Sequence, residues 1–177
     1  VNSSTASISF ASTGAASYSC SVDGGSYSAC ASPLALSGLT DGNHSLSVKA
    51  TNTSGDSDAA SASWTVDATA PARPVLSGVP SAPTAATSAT ITFTGEVGAS
   101  FNCSLDGEAY SACTSPVPLT GLTVGSHTFK VTATDAAGNV SDQATAYWTV
   151  QALAPPLVAP TILTPAAGTK TVYKTTV

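Results

Sequence analysis

The sequence predicts an all-β fold of antiparallel β-sandwiches in tandem, and three observations support this class. Apolar and polar residues alternate with a period of two, as in Leu46 to Ala50 and Phe129 to Ala133, which is typical of a strand with one buried face. The alternating stretches are short and are separated by Gly, Pro, Asp and Asn. The third observation is an internal repeat. We find no segment with a convincing helical face.

The repeat defines the predicted domains. When Ile8 is aligned with Ile91, ISFASTGAASYSCSVDGGSYSAC lies over ITFTGEVGASFNCSLDGEAYSAC without a gap. After one inserted residue, ASWTVDATAP lies over AYWTVQALAP. We therefore predict a first repeat at residues 1–69 and a second repeat at residues 70–151. Residues 152–177 are predicted to form a Pro-rich linker followed by the first strands of a third unit, or a donor strand.

The predicted strands differ between the two repeats in one respect. In the second repeat they fall at VLSGV, ATITFT, SFNCSL, AYSAC, PVPLT, SHTFKVTAT and ATAYWTV. The first repeat has the same pattern but begins at its second strand, so its first strand is missing. At the end of the sequence we predict a first strand at Thr161 to Leu163, with Thr171 to Val177 as a candidate for a second. No signal peptide or initial Met is present, and we expect a mature or trimmed product.

Composition argues against several functional classes. Only 8% of the residues are charged, the formal net charge is −5, and Lys and Arg together number five. Nucleic-acid binding needs clustered basic residues, so no nucleic-acid partner is predicted. No apolar run approaches the roughly 18 residues that suggest a membrane span. The two His have no metal-like spacing to a Cys, and neither a metal nor another cofactor is predicted.

The cysteines occur as two local pairs, each bracketing an Asp-Gly turn. Asp-Gly between alternating strands is a strong hairpin signal, so we predict the disulfides Cys20–Cys30 and Cys103–Cys113. A redox switch is the alternative, but a reactive thiol needs a nearby cation or helix N-terminus, and neither segment contains Lys, Arg or His. Disulfides persist in oxidising compartments, which predicts an exported, extracellular or cell-surface protein.

Few other side chains suggest chemistry. His44 and His127 share strand parity with Leu46 and Phe129, so we expect buried corner residues rather than catalytic ones. Asp23 and Asp106 are expected to shape the hairpin turns. Asp135, Asn139 and Asp142 offer oxygen ligands for calcium, and a turn between strands explains them equally well. We find no catalytic constellation and predict no enzyme activity.

Several motifs resemble a known class of module. The pattern Leu39-x-x-Gly42-x-His44-x-Leu46, its second copy from Leu122, and ATDAAGNVSD followed by WTV and a Pro-rich stretch resemble fibronectin-III-like and bacterial Ig-like repeats. The resemblance implies tandem Ig-like sandwiches joined by Pro-rich linkers in a large bacterial surface protein, used as a stalk, fibre or adhesin. Some such repeats use an Asp after the last strand for calcium. Asp67 fits that pattern and Gln151 does not, which argues against a calcium-stiffened linker.

Two functional hypotheses remain open at this point. The first is a structural subunit of an extracellular fibre or stalk. The second is an adhesin or a module that binds carbohydrate or protein. For the first, we predict head-to-tail self-association, in which the C-terminal segment pairs with the open edge of a neighbour's first repeat. The alternative is a window cut from a longer array. The predicted docking residues are Leu157, Val158, Ile162 and Leu163 on one chain, and Ile8 and Phe10 on the other.

Overall fold

The computed structural model describes residues 1–161, and within this range all regular secondary structure is β. The predicted docking residues Ile162 and Leu163, and the strand predicted at Thr171 to Val177, lie outside the described residues. The strands are β1 (Ala6–Ile8), β2 (Ser17–Val22), β3 (Ser28–Cys30), β4 (Leu34–Leu36), β5 (Gly42–Asn52), β6 (Gly55–Asp56), β7 (Ala60–Val66), β8 (Val75–Ser77), β9 (Ala89–Thr94), β10 (Ser100–Leu105), β11 (Ser111–Cys113), β12 (Val117–Leu119), β13 (Gly125–Thr134) and β14 (Ala144–Val150). No helix in residues 1–161 could cross a membrane.

Strands β8 to β14 form two antiparallel sheets, ordered β11-β10-β13-β14 and β12-β9-β8. Their inner faces share one apolar cluster, so the two sheets pack as a sandwich. The cluster draws on both sheets and includes Ile91, Phe93, Leu119, Phe129, Val131, Trp148 and Val150. Burial along β13 and β14 alternates residue by residue, as the period-two pattern predicts.

Strands β1 to β7 repeat this arrangement. Strand β5 pairs with β2 and β7 in the same register as β13 pairs with β10 and β14. For example, Cys20 lies opposite Val48 in the first half, and Cys103 lies opposite Val131 in the second. Strand β1 pairs with β4 as β9 pairs with β12. The all-β, antiparallel fold class predicted from the sequence is confirmed.

One sheet differs between the halves. Strand β9 has two neighbours, β12 and β8, whereas β1 pairs with β4 alone among the described strands. Ile91 and Phe93 on β9 are buried, while the corresponding Ile8 and Phe10 are only half-buried. Phe10 packs edge-on against Tyr18, with ring centroids 5.1 Å apart. The free edge of β1 therefore leaves the core of the first half incompletely covered.

Candidate functional site

The Asp-Gly segment after β2 forms a tight turn whose backbone explains its composition. Asp23 and Gly24 have φ values of 49° and 74°, and the Gly25 N–H donates to the Val22 carbonyl at 2.9 Å. Two successive residues at positive φ define a type I′ turn, which matches the twist of the flanking strands. Asp tolerates this region because its short polar side chain bonds locally. The second copy, Leu105-Asp106-Gly107-Glu108, has the same geometry.

A disulfide closes each hairpin behind this turn. Cys20 is bonded to Cys30, with Cα atoms 5.8 Å apart. The strand register sets Tyr18 opposite Cys30 and Cys20 opposite Ser28, so the two cysteines form a diagonal pair on one face of the hairpin. Cys103 and Cys113 are bonded with the same Cα separation and the same diagonal register.

A buried histidine fixes the tip of the turn to the start of β5. His44 Nδ1 lies 2.8 Å from Asp23 Oδ2, and His44 Nε2 lies 2.7 Å from the Thr40 carbonyl. The other carboxylate oxygen of Asp23 accepts the Ser45 N–H at 2.7 Å. The turn, the loop before β5 and the first residues of β5 are thus held together by one ring and one carboxylate. We call this arrangement the His–Asp clamp.

The second half contains the same clamp. His127 Nδ1 lies 2.7 Å from Asp106 Oδ2, and His127 Nε2 lies 2.8 Å from the Thr123 carbonyl. Asp106 Oδ1 accepts the Thr128 N–H at 2.7 Å. The side chains of His44 and His127 are 8% and 5% exposed, so both rings are enclosed as their strand parity predicts.

The clamp geometry favours a charged imidazole ring. Each ring nitrogen faces an oxygen that can only accept a hydrogen bond, and only the imidazolium has two N–H donors. The bond to the Thr40 carbonyl, and then the bond to Asp23, raise the pKa of His44 above its ordinary value. The corresponding bonds to Thr123 and Asp106 raise the pKa of His127. The bonds from His44 and the Ser45 N–H lower the pKa of Asp23.

Each imidazole also lies beside a tryptophan of the last strand in its half. His127 stacks on Trp148 with ring centroids 5.5 Å apart and 26° between the ring planes. His44 and Trp64 are 5.9 Å apart and tilted by 31°. A cation next to the face of an indole ring is favourable, so the tryptophan supports the same charged form as the two oxygen acceptors.

The clamp suits a structural role better than a catalytic one. A general base needs a free nitrogen lone pair within reach of a substrate proton. In both copies each ring nitrogen is already bonded to an oxygen, and the ring is buried. What the arrangement does is tie the Asp-Gly turn to its neighbouring strand.

Sequence reasoning missed the pairing of histidine with aspartate. It assigned Asp23 to the shaping of the hairpin turn alone. Asp41, the carboxylate nearest to His44 in the sequence, accepts the Ala68 N–H at 2.7 Å and the hydroxyl of Thr69. The available signal was the spacing, because Asp and His are separated by 21 positions in both copies.

The acidic turn before β14 is occupied by its own hydrogen bonds. Asp135 Oδ1 accepts the N–H groups of Gly138 and Asn139 at 2.7 and 2.9 Å, and Asp135 Oδ2 accepts the Asn139 side-chain amide at 2.8 Å. Within residues 1–161 no group of three or more His, Cys, Asp or Glu side chains is placed to hold a metal ion. The hydrogen bonds of Asp135 and Asn139 therefore support the turn interpretation for these two residues.

The described docking residues are not brought together within one chain. Leu157 and Val158 are 101% and 89% exposed, so neither packs against Ile8 or Phe10 of the same molecule. A separate surface feature is an open cleft of about 740 Å³ at one end of the second half, lined by Phe93, Gly95, Glu96, Phe101 and Cys113.

Comparison with solved structures identifies the fold. The fibronectin(III)-like modules of Clostridium thermocellum CbhA share 15% sequence identity with this chain, with a TM-score of 0.51 over 84% of this chain and 85% of theirs. The chain has a fibronectin-III-like fold. At this identity the similarity concerns the fold alone.

Two further solved structures are more distant. A bacterial ice-binding adhesin, described for its retention on the host cell surface, shares 16% identity over 76% of this chain and 52% of that chain, with a TM-score of 0.41. Two fibronectin type-III domains of chicken tenascin share 16% identity over 84% of this chain and 94% of theirs, with a TM-score of 0.37. No protein-family model matches the sequence, and a comparison with curated proteins gives no match.

Proposed function

We propose that this chain is a structural subunit of an extracellular bacterial fibre or surface stalk. The observation that carries the proposal is the reinforcement of the same corner in both halves by a disulfide and a His–Asp clamp. A structural module has to stay folded outside the cell without chaperones or ATP. Disulfides are formed and retained in such oxidising surroundings.

We further propose head-to-tail assembly through strand addition. Among the described strands β1 pairs with β4 on one edge only, and the backbone groups of its other edge can bond a strand from another chain. Ile8 and Phe10 beside that edge are half-buried, so an added strand would complete their burial. Leu157 and Val158 are exposed apolar side chains on a segment without regular secondary structure. The proposed donor is the segment from Pro155 to Val177 of a neighbouring chain.

Sedimentation velocity and negative-stain electron microscopy of the whole chain test this assembly. The intact chain should form filaments as its concentration rises, and deletion of residues 155–177 should leave folded monomers. L157S/V158S should weaken assembly, whereas the control L153S, at another exposed leucine, should not. Filaments from the truncated chain, or monomers of the intact chain at every concentration, would contradict the assembly proposal.

Adhesion is the second candidate, and Tyr147 favours it. This side chain is 71% exposed in the second half, and exposed aromatic rings often anchor ligands. A glycan or protein-binding screen with the whole chain, repeated with Y147A, tests the idea. Binding that is lost in Y147A would support adhesion over a purely structural role.

A further inference from the structure

The turn between β13 and β14 contacts the other half of the molecule. The Asp135 carboxylate organises this turn through three hydrogen bonds, one of which orients the Asn139 side-chain amide. The same amide donates to the Asp67 carbonyl at 2.8 Å. The Asn2 amide donates to the Gly138 carbonyl at 3.3 Å. Residues of this turn are therefore bonded to two segments of the first half, the one at Asn2 and the one at Asp67.

The segment after Asp67 is also held from the first half. Asp41 accepts the Ala68 N–H at 2.7 Å and the Thr69 hydroxyl. Two prolines further along, Pro71 and Pro74, are buried, and proline restricts the backbone around it. The connection between β7 and β8 is thus hydrogen-bonded to Asp41 of the first half and to Asn139 of the second half.

The two halves differ in length at this same turn. In each half a serine hydroxyl near the end of the turn accepts the N–H of a β-strand alanine. This bond identifies equivalent positions in the two turns. The separation is seven residues between Ala50 and Ser57, and eight between Ala133 and Ser141. The one-residue insertion in the second repeat therefore falls in the turn that carries Asn139. The shorter turn of the first half bonds internally, through Asn52 to the Ser54 N–H and Thr51 to Asp56.

We propose that the turn at residues 135–139 is a docking surface for residues 67–69 of the same chain, and that it makes a stiff joint between the halves. The occupant is fixed by the observed bonds, with Asn139 on one side of the segment and Asp41 on the other. Val124 stands at the position of Asp41 in the second repeat, so the same bond cannot form after β14. Residues 152–161 are exposed. Within residues 1–161 such a joint is therefore seen at the connection between β7 and β8 and not after β14.

A stiff joint matters for function only if the chain is the structural subunit proposed above. The joint itself can be tested on the monomeric chain. Amide residual dipolar couplings report whether two parts of a molecule align as one body. The couplings of both halves of the intact chain should fit one alignment tensor. N139A and D41A should reduce the alignment of one half relative to the other by twofold or more, because each removes one side of the attachment.

N52A is the matched control, because it alters the corresponding turn of the first half away from the joint. It should leave the common tensor unchanged. D41A provides a second test in case N139A disturbs the folding of the second half, because Asp41 lies in the first half. Separate tensors for the two halves of the intact chain would overturn the proposal, as would a common tensor retained in both N139A and D41A. Failure of assembly with a stiff joint would instead count against the fibre proposal.

Discussion

The His–Asp clamps place a titrating group inside each half of the molecule. A ring that bonds a carboxylate and a carbonyl binds its proton more tightly than the same ring in the unfolded chain. The pKa of His44 and of His127 is raised in the fold above the ordinary value of 6.5. Below that value both states are protonated and the clamp contributes fully. As the pH rises through the folded-state pKa, that contribution is lost.

The first prediction is that the melting temperature falls between pH 6 and pH 9. H44Q/H127Q should be less stable than the original chain at pH 6 and should show a flatter dependence on pH. Thermal unfolding followed by circular dichroism in buffers of constant ionic strength measures both quantities. An equally steep dependence in the double variant would contradict the charged-clamp interpretation.

Among the elements of each half, the hairpin of β2 and β3, or of β10 and β11, is held by both a disulfide and the His–Asp clamp. A disulfide that closes so short a loop stabilises by roughly 2.5–3 kcal/mol on the chain-entropy model. We predict that C103S/C113S lowers the free energy of unfolding of the second half by about that amount. Urea unfolding followed by Trp148 fluorescence measures it, with W64F as the background to isolate the signal. A decrease in the free energy of unfolding below about 1 kcal/mol would contradict the prediction, because the clamp and the turn would then hold the hairpin without the disulfide.

A second element, β8, depends on one glycine. Gly78 has a φ of 70°, and a Cβ added there would lie 2.7 Å from the Thr90 carbonyl oxygen of β9. G78A should therefore lift β8 away from β9. The control is G98A, at a φ of 87° with no atom near the added carbon, which adds only backbone strain of about 1–2 kcal/mol. Urea unfolding should show a larger loss for G78A, and equal losses would contradict the close approach.

The elements themselves were largely predictable from the sequence. Alternation along residues 125–134 and 144–150 marks strands because one face of each is buried, and Asp-Gly marks the turn because few residues adopt positive φ. The contacts that join elements were not predictable in the same way. The Asp23–His44 bond and the Asn139–Asp67 bond depend on how loops approach one another, and local patterns do not encode that distance.

At the scale of the whole molecule, the halves differ in how completely their cores are covered. Val131 and Ala133 are fully buried, whereas the corresponding Val48 and Ala50 are only half-buried. Less apolar burial gives less stabilisation, at roughly 25 cal/mol per Å². We predict that amides of β1 and β4 exchange with deuterium faster than those of β9 and β12. Hydrogen exchange read by mass spectrometry on the monomeric chain tests this, and equal protection would contradict it.

The location of the chain on intact cells tests the proposal that it is an extracellular structural component. Antibodies raised against residues 1–151 can be bound to unpermeabilised cells of the source organism and visualised with gold in the electron microscope. We expect gold particles in rows along filaments or stalks outside the cell. Labelling confined to the cell interior, seen only after permeabilisation, would contradict it.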